Sequence, residues 1–339
     1  MKRLVAASAK GYLSPNAYQL RNHICVIPCG GLAENDSIWT PEHLRPYAKY
    51  IVNGQAIDNL FGGFIFNGIC MRANHYICPL FVGFGSPSDL HDWQLWIDSL
   101  FSPDGNLHAL NSVLGNEKRD VWISIPYPHP FQSCFGHAEG RNLDFNVEDD
   151  RFTAVKWWLD RFLHRWSMES KLHSKLDLRG FLWQREAIDE LDEALVKRVN
   201  AEIHSRKLLS MWLPNYGSYG VLEWKKLGFH VVALNSNYYG NTNYDHNWIK
   251  NTTMFAKYYQ TGMQIVWGKG LIYNNTHLLD YLNFGLAEKC GYMTESLLVY
   301  QFPNQRLGTL QQTNIVDYIR LYTFVKGLYK RIDYRGIPY

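Results

Sequence analysis

The chain lacks most of the signatures that tie a protein to a cofactor. No GxGxxG or GxxxxGK[ST] follows an early apolar run, so the usual phosphate cradles of an open nucleotide-binding sheet are missing. HExxH, EF-hand and zinc-type Cys/His spacings are absent, which removes the case for a bound metal, and no cofactor is expected. There is no GxSxG elbow and no CxxC pair. Charge is scarce and balanced: 34 Lys+Arg against 31 Asp+Glu, a formal +3, with charged residues at 19%. That balance argues against a surface built to grip nucleic acid or an anionic membrane, and the low total argues against a disordered chain. No apolar run approaches the roughly 18–20 residues of a membrane span. The leading MKRLVAASAKGYLSPN has too short an apolar stretch for a signal-peptide core, so the expectation is a soluble protein, cytoplasmic as synthesised or associated with a virion. The six cysteines, at 25, 29, 70, 78, 134 and 290, read as free and mostly buried thiols.

What is abundant is aromatic. Twelve Trp, 22 Tyr and 17 Phe make 15% of the chain, a surplus that serves either a large core or a flat-faced binding site. Its placement depends on the elements. Eight short apolar runs rich in β-branched and aromatic residues recur: 23–30, 61–69, 121–128, 178–186, 207–215, 229–237, 263–270 and 296–304. They are near-continuous rather than alternating, as strands buried on both faces are. Helical spacing fills the gaps. Thr40-Pro41 reads as an N-cap followed by proline at the first helical position. Leu191, Leu195, Val199 and Ile203 recur at i, i+4 over 189–204, and Tyr318, Leu321, Val325 and Leu328 do the same in a final helix.

Eight such units predict an α/β fold of the (β/α)8 TIM-type barrel class, as one domain over residues 1–339. The widest gaps follow the second and third runs, so long loops there are expected to wall a site. Functional groups of a barrel sit at the C-terminal strand ends. Those ends carry Asn67, Tyr127, His129, Glu186, Trp212, Asn215, Tyr216, Asn235, Asn237, Tyr238, Trp267, Lys269, Gln301 and Asn304. Amides satisfy hydroxyls and ring faces stack on the C–H face of a pyranose, so the set points to a sugar. Substrate-facing roles are expected for Trp212, Asn235, Asn237, Tyr238, Tyr127, Tyr216, Gln264 and Trp267.

Glu186 is the sharpest single residue. It ends the fourth run, with Gly180, Leu182 and Gln184 on its side of the strand and Phe181 and Trp183 on the other, and it suits general-acid work. Ordinary glycoside hydrolysis needs two carboxylates. The seventh run, Met263-Gln264-Ile265-Val266-Trp267, holds none; Asp245 and Asp144 are the candidates for the partner.

These segments resemble the bacterial domain-of-unknown-function family 4855 of glycosidase-like barrels, over about residues 12–330. The likeness is carried by His23-Ile24-Cys25, Leu60-Phe61, DLHDWQLWIDSLF (89–101), IPYPHP (125–130), RFTAVKWWLD (151–160), GFLWQRE (180–186), MWLPNYGSYG (211–220), WKKLGF (224–229) and NSNYYG (235–240). The resemblance implies a catalytic-type Glu186 and substrate-facing Trp212, Asn237 and Tyr238. Two departures from the family pattern stand out: Gly62 where relatives carry an acid, and Gln264 and Val266 where they carry Glu-x-Glu. The expected function is therefore a glycoside hydrolase acting on a polysaccharide or complex glycan. The alternative is a non-catalytic glycan-binding or structural barrel, such as a phage tail or virion component. The partner expected is a glycan, with neither nucleic acid nor membrane; self-association and virion assembly stay open.

Overall fold

The computed structural model describes residues 10–31, 37–238, 247–267, 277–303 and 306–332. Eight parallel strands close into a barrel: β1 (Ile24–Cys29), β2 (Gly63–Gly68), β3 (Arg119–Ile125), β4 (Leu176–Trp183), β5 (Leu209–Trp212), β6 (Val231–Leu234), β7 (Gly262–Val266) and β8 (Leu298–Gln301). Each pairs with its neighbours in sequence, and β8 returns to β1. All eight lie inside the runs read from sequence or overlap them. The near-continuous apolar character has the expected cause, since every residue of β3, β6 and β7 is buried.

The strand alternation separates two apolar layers. Inside the barrel, Ile24, Val26, Ile65, Trp122, Leu182, Met211, Val231, Ala233 and Val299 form one cluster. Between barrel and helices, the larger cluster takes the alternate residues, among them Cys25, Phe64, Phe66, Ile123, Phe181, Trp212 and Ile265. Burying a side chain of this size contributes about 1.5–3 kcal/mol relative to leaving it exposed, so these layers dominate the stability.

Helices α1 (Pro41–Ala48), α2 (Leu90–Leu100), α3 (Asn106–Val113), α4 (Glu148–Met168), α5 (Glu190–Ser205) and α6 (Asn247–Tyr259) follow in order. Then come α7 (His277–Phe284), α8 (Tyr292–Glu295), α9 (Leu307–Thr313) and α10 (Ile315–Val325). Thr40 caps α1 by accepting from His43 N–H, and Asp189 caps α5 by accepting from Leu191 N–H. Two stripe residues fall outside the expected faces: Leu191 and Leu328 are exposed, because Leu191 stands in the first turn beside the cap and Leu328 lies past the end of α10.

One irregularity sets the phase of β4. Its register against β3 shifts between Leu178 and Gly180, leaving Arg179 bulged. Gly180 lies so close to β5 that a Cβ there would stand 1.8 Å from the Leu209 carbonyl oxygen. Past the bulge, Leu182 points inward and Phe181 outward.

Gly62 sits at the other, N-terminal end of the barrel. A Cβ on it would stand 2.3 Å from the Asn22 carbonyl oxygen, and buried Asp120 nearby is ion-paired with Arg21. Position 62 therefore belongs to the barrel's base, away from the mouth.

Candidate active site

At the C-terminal end of the barrel a pocket of about 380 Å³ opens. Its walls follow from the alternation just described. Val26 and Pro28 of β1, Asn67 of β2, Leu182 of β4, Val266 of β7 and Gln301 of β8 line it, with Gln184, Leu213 and Asn235 from just beyond their strands. Its rim is Ile69, Cys78, Leu80 and Phe81 from the loop after β2, with Trp183, Glu186, Phe302 and Pro303. The long β2 loop, stiffened by short strands at 70–72, 75–76 and 86–87, thus walls the site as its length suggested. The equally long β3 loop does not line the pocket. Its Phe135 and Phe145 pack on Trp93 of α2, with ring centroids 4.8 and 5.9 Å away.

Glu186 lies three residues past the end of β4, in the turn toward α5, rather than on the strand. Asn215, past β5, donates its amide N–H to Glu186 Oε2 at 2.6 Å. The neighbouring Arg185 turns the other way. It donates to Asp189 and to fully buried Asp192, which also accepts from Arg151 and from the Tyr127 hydroxyl. Arg185 is thereby held in the helical layer, and Glu186 is left to face the pocket. Cys78 stands opposite; burial, and after it the charge of Glu186, pushes its thiol up to about 12, so it is a protonated wall group. Burial, with the charges of Arg151 and Arg185, holds the His129 imidazole below its ordinary value and so favours the neutral ring.

The amides form two ordered pairs. Gln184 Nε2 donates to Asn67 Oδ1 at 2.8 Å, to the Gly68 carbonyl at 2.6 Å and to Ser124 Oγ at 3.0 Å. Gln264 Nε2 donates to the Ala233 carbonyl at 2.6 Å, and its Oε1 accepts from Gln301 Nε2 at 2.5 Å. A backbone carbonyl anchors each pair, so the polarity of both is settled.

The residues expected to face substrate divide. Asn235 lines the pocket, with its Oδ1 accepting from Asn237 N–H. Asn237 is half-buried at φ 54°, a left-handed conformation that asparagine tolerates, and it serves the turn. Trp267 stands beside the rim residue Phe302, edge to face at 6.1 Å. Gln264 is buried inside the barrel beneath Gln301. Trp212 does not reach the mouth: its ring is fully buried in the outer layer, stacked on Phe229, with its N–H on the Arg185 carbonyl at 2.8 Å. Tyr127 is buried on Asp192, and Tyr238 is buried with its hydroxyl on Asp280. Tyr216 packs against Trp248 and Phe255 of α6. Asp144 is occupied in the turn before α4, accepting from the Asn146 backbone and side chain at 2.9 and 2.7 Å. Asp245, Lys269 and Asn304 lie outside the described residues. Glu186 is the one carboxylate among the described residues that line the pocket.

Three rings that the sequence reading did not place at the mouth line the pocket: Trp183, expected on the outer side of its strand, Phe81, and Phe302, which follows β8 directly. The cue for Phe302 was present in the eighth run.

Among the described residues, His75, Asp89 and Asp92 are the group with metal-ligand spacing. Arg72 already donates to both carboxylates, so their oxygens are engaged by a guanidinium. A wider depression of about 650 Å³ at the base of the barrel holds Arg21, Asp58, Arg119 and Lys326, each in an ion pair.

A family model described as Domain of unknown function (DUF4855) matches residues 25–326. No curated protein matches the chain. Solved structures that resemble it include a mutant tryptophan synthase α-subunit from Pyrococcus furiosus, at 9% identity over 91% of this chain and 98% of that one, TM-score 0.42. A GH113 β-1,4-mannanase matches at 11% identity over 84% and 90%, TM-score 0.42. A GH18 chitinase from Pseudoalteromonas aurantia matches at 9% over 86% and 99%, TM-score 0.40. Similarity at this level says nothing about the reaction.

Proposed function

The chain belongs to the DUF4855 family, whose description assigns no activity, and from that footing we propose that its barrel mouth binds a glycan and that Glu186 is the general acid/base of a glycoside hydrolase. The observation that carries this reading is the Glu186–Asn215 pair on the lip of a pocket walled by amides and rings. A carboxyl group so placed can give a proton to a glycosidic oxygen and take one from water afterwards. Asn67, Asn235 and Gln301 supply hydrogen bonds for sugar hydroxyls; Trp183, Phe302 and Phe81 supply apolar faces, with Trp267 extending them outward. Asp245, which follows β6 in the sequence, is the partner carboxylate on this reading.

One observation favours a second reading. Glu186 stands without another carboxylate among the described lining residues, as a non-catalytic glycan-binding barrel would have it, in a phage tail or virion component for example.

The test is a panel of polysaccharides presented to the wild type and to Glu186→Gln, with binding and released reducing ends both measured. Cleavage by the wild type alone, with binding kept by the variant, supports the hydrolase. Binding by both without cleavage supports the second reading, and no binding by either overturns both.

A further inference from the structure

Most of the aromatic surplus is buried, so the rings left in solvent carry information. Among the described residues five aromatic side chains are exposed: Phe84, Phe131, Tyr219, Trp248 and Tyr258. Four of the five stand on the mouth side of the barrel. Phe84, Phe131 and Tyr219 lie in the loops after β2, β3 and β5, and Trp248 stands in the first turn of α6, which follows β6. Tyr258 is at the other end of that helix.

Three of these rings are tied to the pocket. Phe84, 65% exposed, ends the short helix Pro79–Phe84, whose Leu80 and Phe81 line the pocket. Gly85 holds the end of that turn: its N–H donates to the Val82 carbonyl at 3.1 Å, and a Cβ there would stand 2.3 Å from the Asn74 carbonyl oxygen. Phe131, 78% exposed, shares this platform, because Gln132 Nε2 donates to the Pro87 and Ser88 carbonyls at 3.2 Å each. A file of rings joins it to the pocket wall: Trp183 to Tyr127 at 5.8 Å, Tyr127 to His129 at 5.8 Å, and His129 to Phe131 at 5.3 Å. Tyr219, 75% exposed, is fastened to the Glu186 turn, its carbonyl accepting the Ile188 N–H at 3.0 Å. β2 and β5 are three strands apart in the ring of eight, so Phe84 and Tyr219 flank the pocket from different sides.

An exposed ring forfeits the stabilisation that burial would bring, and several on one face concentrate that cost where a ligand would remove it. The pocket itself holds about 380 Å³, near the lower end of the roughly 300–1,000 Å³ usual for small-molecule sites. It encloses a short piece of glycan, and anything longer lies along the rim. Rings set on separate loops suit a chain of sugars, whose C–H faces stack one by one. A protein partner asks instead for a continuous apolar patch.

Resting on the glycan reading above, which the hydrolytic and the non-catalytic alternatives share, we propose that the ligand is a polysaccharide held by an interior stretch of its chain. The middle of that stretch enters the pocket. On one side the chain stacks on Phe84 and Phe131, and on the other it stacks on Tyr219. These rings set the length of chain that the protein holds.

The experiment measures binding by calorimetric titration on Glu186→Gln, so that cleavage does not interfere, with Phe84→Ala, Phe131→Ala and Tyr219→Ala each added to it. The probes are oligosaccharides from mannan, xylan, cellulose and chitin, from disaccharide to octasaccharide, together with soluble polymers of the same sugars. Affinities are taken per folded molecule, counted from melting curves. The expected result is an affinity that rises with chain length on the preferred sugar, and several protein molecules bound along each polymer chain. Each ring removed should weaken octasaccharide binding by about threefold to tenfold and disaccharide binding by less than about twofold. Equal affinity for disaccharide and octasaccharide, one protein per polymer chain, or losses that are the same for short and long probes overturn this inference and leave the glycan reading standing. Losses at Phe84 and Phe131 with none at Tyr219 overturn the interior stretch, since the chain then runs to one side alone. Failure of both the wild type and Glu186→Gln to bind any probe removes the glycan reading itself.

Discussion

Asn215 donates its side-chain amide to Glu186 at 2.6 Å, joining the end of β5 to the turn after β4 across the lip of the barrel. The bond orients the carboxylate that the proposed chemistry turns on. Asn215→Ala removes it without touching the pocket floor. The expected outcome is a loss of about tenfold in kcat on the glycan that the wild type cleaves, the worth of one hydrogen bond to a charged group, with KM little changed. Glu186→Gln on the same substrate is expected to lose about 10²–10⁴-fold. Steady-state kinetics on the two variants checks both, and a purely structural role for Asn215 would show instead as lost folding stability with normal kcat per folded molecule.

Trp212 is expected to matter for folding rather than for ligand. Its ring is stacked on Phe229 at 5.3 Å and its N–H is satisfied by a backbone carbonyl. Trp212→Ala should cost about 3–5 kcal/mol in denaturant unfolding, as large core truncations do. Calorimetric titration should find glycan affinity of the folded fraction within about threefold of wild type, well under the tenfold that 1.4 kcal/mol of lost contact would produce.

Gly62→Asp would place a carboxylate at the base of the barrel, the end away from the mouth. With Asn22 oxygen 2.3 Å from the position of its Cβ, the substitution forces the backbone apart and should destabilise by about 1–3 kcal/mol. Glycan cleavage per folded molecule should not rise; a gain would mean the base of the barrel takes part in the reaction.

Stability should also fall on the acid side. The His230 ring lies 3.9 Å from that of His204 and accepts the Ser210 N–H, and burial, with the His204 charge, holds it down to about 4. His23 is held down to about 3, by burial first and the Lys326 charge second. In the unfolded chain a histidine titrates near 6.5. The unfolded state therefore binds protons first as pH drops, so the stabilisation present above about 6.5 is lost progressively toward pH 4. Melting temperatures from pH 7.5 to 4 should decline, and His230→Asn, which cannot take the proton, should decline less steeply.

Much of this protein was legible without its fold. The eight buried strands and the Thr40 cap came from patterns a few residues long, because periodicity and capping are local properties. The length of the β2 loop was a sound cue to one wall of the site. The placement of the rings was not legible. Trp183 read as facing away from the site and Trp212 as facing substrate, yet the first walls the pocket and the second is buried behind it.

Sequence by itself determined the strands, their order and the barrel, since a run of buried β-branched residues closes few other ways. Only the tertiary structure decided which side chains meet at the mouth. A shift of one residue reverses every side chain on a strand, and the bulge at Arg179 is set by contact with β3 and β5 rather than by its own neighbours. The strand's end at Trp183, three residues short of Glu186, depends likewise on where its partners stop. The pairing of Glu186 with Asn215, 29 residues away in the chain, exists only once the barrel has closed.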